Sequence, residues 1–241
     1  MTAGGNGNGK LVWALPSKGR LMEQCNAALA KAGLDVVRSG PARGYKGEIA
    51  QLPGVEISFV SSAEIAQLLK SGAAHLGITG EDLIRETMED ADARVRFVHP
   101  LGFGRADVVV AVPACWLDVR RMAELEEAAL AYRRVHGRRV RVATKYMNLT
   151  RRFFAQKGVT GYRIVESLGA TEGTPAAGFA ELIVDITTTG ATLKANGLRT
   201  LDDGVILKSE ANLIASKAAP WTPELVALEN QITARLGRAR A

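Results

Sequence analysis

Two cysteines, three histidines and 5% aromatic residues are what this 241-residue chain has least of. Cys25 and Cys115 make no disulfide framework and no metal-ligand spacing, and they suit a reducing compartment. His75, His99 and His136 also lack metal-ligand spacing and read as core or surface histidines rather than catalysts. With so few aromatics, a stacking surface for single-stranded nucleic acid is disfavoured. The longest apolar run, 108–116, contains Pro113 and is far too short to span a bilayer. Met1 to Gly9 lacks the apolar stretch of a signal peptide and reads as a disordered lead. No GxSxG, HExxH, Cys-His or complete Walker pattern occurs. These absences point to a cytoplasmic protein that works without a nucleophilic triad or a protein-held metal, a membrane or nucleic acid.

What is present fits a folded α/β protein. Hydrophobic residues make up 47% and charged residues 23%, with a net charge of +6. A basic excess suits an anionic partner, although +6 over this length is also ordinary variation. Much of the excess lies in Arg133 to Arg152 and in Arg235 to Arg240, the second reading as a solvated tail over 237–241.

Strand and helix patterns alternate. Strands are expected at 10–15, 55–60, 75–79, 106–112, 139–143, 162–167 and 182–187, with a strand-like run over 205–216. Helices are expected at 20–31, from Ser61 or Ser62 to about Lys70, after Gly80, at 117–135, and from Asn148 or Thr150 to Gly158. Thr222-Pro-Glu-Leu225 opens a last helix, with a Thr cap and Pro in the first turn. This rhythm predicts two α/β lobes of mixed, mostly parallel sheets with flanking helices and a cleft between them. Lobe I is expected over 10–102 plus 189–236, and lobe II over 103–188. The loop Leu101 to Arg105 serves as one hinge, and the second crossing falls near 186–192.

The segment Glu181-Leu-Ile-Val-Asp-Ile-Thr-Thr-Thr-Gly-Ala-Thr-Leu193 carries the strongest chemical signal. An apolar strand ends in an acid, then in a loop of threonines and a glycine, then in a helix start. Backbone N–H groups and hydroxyls at such a place can hold a phosphate. Thr187, Thr188, Thr189, Gly190, Ala191 and Thr192 supply those groups. Asp185 closes the buried strand, where an acid is costly unless it binds something, such as a sugar diol. Glu166 and Glu172 are the other acids nearest this loop. Lys18-Gly-Arg20 and the loop 41–47 around Arg43 offer cations for a polyphosphate. Read alone, each is better explained as an ordinary glycine turn or surface hairpin with exposed cations. Gly80 permits close backbone approach at a strand end, and Lys145 and Tyr146 follow another strand.

Taken together these motifs resemble ATP phosphoribosyltransferase in its short form, over about residues 10–216. The resemblance rests on Glu172-Gly-Thr-Pro-Ala-Ala-Gly178, Ala180-Glu-Leu-Ile-Val-Asp185, Thr189-Gly-Ala-Thr-Leu193 and Asn196-Gly-Leu198. Pro16-Ser-Lys-Gly-Arg20, Gly77-Ile-Thr-Gly80 and Val142-Ala-Thr-Lys-Tyr146 match in the same order. It implies two lobes like a type II periplasmic binding protein. It implies transfer of phosphoribosyl from phosphoribosyl pyrophosphate to N1 of ATP, the first step of histidine biosynthesis, with Mg2+ reaching the site through substrate phosphates. Asp185 would hold the ribose hydroxyls, residues 187–192 the 5′-phosphate, and Arg20 and Arg43 the leaving pyrophosphate. Whether Arg43 serves its own or a neighbouring subunit stays open. Lys18, Gly80, Lys145, Tyr146 and Glu172 are carried over as substrate-binding. The short form implies a homo-oligomer, such as a dimer, with a regulatory subunit related to histidyl-tRNA synthetase. The competing class is a non-catalytic two-lobed receptor for a small anion.

Overall fold

The computed structural model describes residues 9–39 and 45–240. Its elements in chain order are β1 (Leu11–Pro16), α1 (Gly19–Lys31), β2 (Val36–Ser39), β3 (Lys46–Ile49), β4 (Val55–Val60), α2 (Ser62–Ser71), β5 (Leu76–Gly80), α3 (Glu81–Thr87), α4 (Ala91–Arg94), β6 (Val95–Pro100) and β7 (Ala106–Pro113). There follow α5 (Met122–His136), β8 (Val140–Thr144), α6 (Met147–Gln156), β9 (Tyr162–Glu166), β10 (Leu182–Thr187), α7 (Ala191–Ala195), β11 (Leu198–Ser209), β12 (Ala211–Ser216) and α8 (Pro223–Arg240). A 3-10 turn at Thr171–Gly173 lies between β9 and β10. No helix among the described residues is long and apolar enough to cross a membrane.

The chain divides into two compact units. The first comprises residues up to Arg105 together with those from Glu210, and the second runs from Ala106 to Ser209. In the first, the sheet order is β2-β3-β4-β1-β5-β12-β6. Strand β1 is buried throughout because it lies in the middle and packs on both faces. Leu11, Trp13 and Leu15 meet one apolar cluster, which includes Cys25 and Leu29 of α1 and Leu225 and Ile232 of α8. Val12 and Ala14 meet the other, with Ile65, Ala66 and Leu69 of α2. Ser61 caps α2, its Oγ accepting the Glu64 N–H at 3.2 Å, and Gly72 ends it in the left-handed conformation.

In the second unit the order is β11-β7-β10-β8-β9. Strands β10, β8 and β9 run parallel to one another, so their carboxyl ends lie together. That edge carries Lys145, Ser167, and Asp185 with the threonine loop.

Three expectations need correction. Both sheets are mixed, but the parallel ladders are confined to β4-β1-β5 and β10-β8-β9, and the remaining neighbours are antiparallel. The hairpin β2–β3, which lies antiparallel on β4, and the strands β7, β11 and β12, each antiparallel to its neighbours, account for this. The second crossing falls at Ser209/Glu210 rather than near 189. Strand β11 pairs with β7 from Leu198↔Pro113 to Ser209↔Ala106, which keeps residues 189–209 in the second unit. Helix α8 continues through Arg240, so residues 237–240 extend a helix rather than forming a separate tail. Smaller differences are local. Helix α5 begins at Met122 because the Glu124 carboxylate accepts the N–H groups of Arg120 and Arg121 and fixes the start there. Strand β6 carried no sequence expectation.

Candidate functional site

The threonine loop lines a cavity of about 310 Å³ in the second unit. Its walls are Glu172, Asp185, Ile186, Thr187, Thr188, Thr189, Thr192 and Leu193. Position explains the site. Strand β10 is anchored between β7 and β8, and its last residues run past the ladder with β8, which ends at Ile183↔Ala143. Asp185 and the loop therefore project at the carboxyl end of the parallel strands, where open α/β sheets bind ligands.

Burial pushes the Asp185 carboxyl above the ordinary carboxylate range, and the charge of Glu172 adds to this. The Ile186 N–H, donating to Asp185 Oδ1 at 2.8 Å, and the charge of Lys145 act against that rise. Lys145, Glu172 and Asp185 are thus close enough to feel one another's charge. The exposed Lys145 ammonium also sits over the Tyr146 ring, 4.9 Å from its centroid.

The loop itself is folded on its own hydroxyls. Thr187 Oγ1 accepts the Gly190 N–H at 2.8 Å, and Thr189 Oγ1 accepts the Ala191 N–H at 3.3 Å. Gly190 takes φ 75°, which a residue with a Cβ would resist. This alters the expected cradle. Two of its backbone donors, the Gly190 and Ala191 N–H groups, are spent inside the loop. Helix α7 has only five residues and contributes little dipole to an anion.

The structure brings Lys145, Glu172, Asp185 and Thr187–Thr192 to one edge. Tyr146 is 1% exposed, and its ring is part of the core, so only its backbone can face a ligand. Lys18, Arg20 and Gly80 belong to the first unit. Lys18 and Arg20 are exposed at the start of α1, and Gly80 is the residue preceding the first turn of α3. Arg43 lies outside the described residues. Sequence reasoning missed the apolar wall of Ile186 and Leu193. The only available signal was that Ile186 stands between two pocket residues.

No group of three or more His, Cys, Asp or Glu side chains among the described residues gathers to hold a metal. Residues 61–237 match the family ATP phosphoribosyltransferase (HisG). The chain belongs to the ATP phosphoribosyltransferase family. It is 63% identical over 211 residues to an ATP phosphoribosyltransferase of Rhodopseudomonas palustris strain BisA53, covering 88% of this chain and 65% of that protein. It is 61% identical over 213 residues to one of Bradyrhizobium diazoefficiens, covering 88% of this chain and 66% of that protein. The chain thus spans just under two thirds of the length of these relatives. Among solved structures, the ATP phosphoribosyl transferase (HisG:HisZ) complex from Thermotoga maritima matches with a TM-score of 0.69 and 26% identity, over 95% of this chain and 99% of that one. The periplasmic aliphatic sulphonate binding protein SsuA from Escherichia coli shares the fold, with a TM-score of 0.54 and 17% identity, over 95% of this chain and 72% of that one.

Proposed function

We propose that this chain transfers the phosphoribosyl group of phosphoribosyl pyrophosphate to N1 of ATP, releasing pyrophosphate, as the first step of histidine biosynthesis in the cytoplasm. The observation that carries the reading is the pocket at the end of β10, where two carboxylates and a set of threonines face the same space. Asp185 takes the ribose diol, and Thr187 to Thr192 take the 5′-phosphate. A neighbouring second carboxylate, Glu172, faces the same sugar. Arg20 and Arg43, with Lys18, stabilise the pyrophosphate as it leaves, and Lys145 supplies a further cation. Gly80 in the first unit and the Tyr146 backbone in the second are further substrate-binding groups in this reading.

The adenine ring nitrogen already carries a lone pair, so attack on the anomeric carbon requires no deprotonation. This fits a site without a catalytic His or Cys. What remains is to align two anionic substrates and to stabilise charge on the departing group. A divalent ion, Mg2+ in our reading, adds charge neutralisation on the phosphates. Mg2+ keeps much of its water and prefers substrate phosphates with one or two carboxylates, and Asp185 and Glu172 are the carboxylates that face the pocket. We further infer a homo-oligomer that assembles with a regulatory subunit like the HisZ of the Thermotoga maritima complex.

The decisive assay mixes the chain with ATP, phosphoribosyl pyrophosphate and Mg2+ and follows adduct absorbance, with and without a HisZ-type partner. Adduct formation that needs both substrates supports the reading. Binding of either substrate with no adduct under any condition favours the small-anion receptor instead.

A further inference from the structure

Ala170 is the only non-glycine residue with positive φ among the described residues, at φ 48° and ψ 38°. A left-handed alanine is strained, and such strain persists only where its surroundings over-determine it. Those surroundings converge on the next residue, Thr171, which is 3% exposed. Its hydroxyl hydrogen-bonds the Ser167 hydroxyl at 3.0 Å, and its carbonyl accepts the Thr174 hydroxyl at 2.7 Å and the Thr174 N–H at 3.1 Å. The Gly173 N–H closes the turn on the Ala170 carbonyl at 3.1 Å. Ser167 is itself fixed to the sheet, its N–H donating to the Thr144 carbonyl at 3.1 Å. Thr144 is fully buried, and its Oγ1 accepts the Tyr146 N–H at 2.8 Å. An unbroken run of hydrogen bonds therefore leads from the carboxyl end of β8, through Ser167 and Thr171, to the strained turn. The next residue along the turn is Glu172, which lines the threonine-loop pocket and whose charge is felt by Asp185.

We propose that Ser167 and Thr171 form a hydroxyl clip whose purpose is to position Glu172 in that pocket. Thr171 is a positioning residue and does not touch substrate. The left-handed Ala170 turns the chain back toward β10, and the clip holds it there. Without the clip, the turn loses its side-chain tie to Ser167, just past the end of β9, and the carboxylate, already opposed by the charge of Asp185, swings out toward solvent. The proposal rests on the reading of the pocket as the phosphoribosyl site.

The test compares Thr171→Val, which keeps the shape and deletes the hydroxyl, with Thr171→Ser, which keeps the hydroxyl. The first measurement is amide hydrogen exchange in the ligand-free chain. The valine variant is expected to speed exchange at Gly173 and Thr174 by about tenfold, with α5 unchanged and the serine variant near wild type. The second is steady-state kinetics. The valine variant is expected to raise KM for phosphoribosyl pyrophosphate by about tenfold, the scale of one hydrogen bond, with KM for ATP unchanged. The proposal is overturned if the valine variant leaves exchange or that KM untouched, or if the serine variant fails alongside it. A wild-type chain that neither binds phosphoribosyl pyrophosphate nor forms adduct overturns the functional reading instead, and the exchange measurement then decides the clip alone.

Discussion

Arg141 grips Glu181 three times: Nη2 donates to Oε1 at 2.7 Å, Nε to Oε2 at 3.2 Å, and the backbone N–H to Oε2 at 2.6 Å. Tyr132 and Arg138 add bonds of 3.0 and 3.2 Å to the same carboxylate. Arg141 also donates to the Gly178 carbonyl at 2.9 Å, so the pair fastens the segment that enters β10. The Glu181 side chain is only 11% exposed. Burial alone would push its carboxyl up, but the Arg141 guanidinium and N–H, with Arg138 and Tyr132, outweigh this and hold it at about 2.

A carboxyl held down in the folded state stabilises the fold above the ordinary carboxylate range, and that contribution disappears as pH falls toward about 2. Glu181→Gln is therefore expected to lower stability at pH 7 by about 1.5–3 kcal/mol, the range for hydrogen bonds to charged groups. The gap between variant and wild type should narrow steadily below pH 4.5. Urea midpoints at pH 7 and pH 3 check both statements. A gap that stays constant across that range contradicts them.

Asp185 has the opposite sign. Its carboxyl is raised in the fold by burial, so keeping it ionised at neutral pH works against stability. Asp185→Asn is expected to raise the melting temperature of the ligand-free chain. The same change should weaken phosphoribosyl pyrophosphate binding by about 10- to 100-fold, the loss of a charge-assisted bond to the sugar diol. Thermal melts and calorimetry on one preparation give both numbers. Stability sacrificed for function shows as opposite signs in the two.

Most of the pocket's lining was legible because Asp185 to Leu193 are contiguous: an acid, threonines and a glycine after an apolar run need no tertiary knowledge. Most strands were legible for a similar reason, since β4 and β10 are bounded by turn residues and built of β-branched ones. Sheet direction was not legible, because β11 and β12 differ from the parallel strands only in what they pair with. Nor was Thr171, a polar residue in a polar stretch, whose role depends on an alanine in a backbone conformation that no residue type announces. The burial of the Tyr146 ring was not legible either, because an aromatic next to a lysine reads alike whether its ring faces a ligand or the core.

Gly77 shows a family motif doing structural work. A Cβ there would stand 2.6 Å from Ile65 Cγ2 and 3.0 Å from Leu69 Cδ1, because α2 lies directly on β5. Gly77→Ala is expected to cost about 1–3 kcal/mol, as overpacking does in a dense core. Substrate KM values should stay near wild type in the folded fraction. Denaturation with kinetics below the transition separates this outcome from a ligand role, which would change KM without changing stability.

Arg20 stands exposed in the first turn of α1. A cation that acts on the leaving group makes its full interaction only as charge develops on pyrophosphate. Arg20→Ala is therefore expected to lower kcat by about 100-fold, comparable to deleting one donor to a developing oxyanion. KM for ATP should change less than threefold by the same logic, because uniform binding is not what is removed. Steady-state kinetics with both substrates varied decide the matter, and a raised KM with kcat intact assigns Arg20 to ground-state binding.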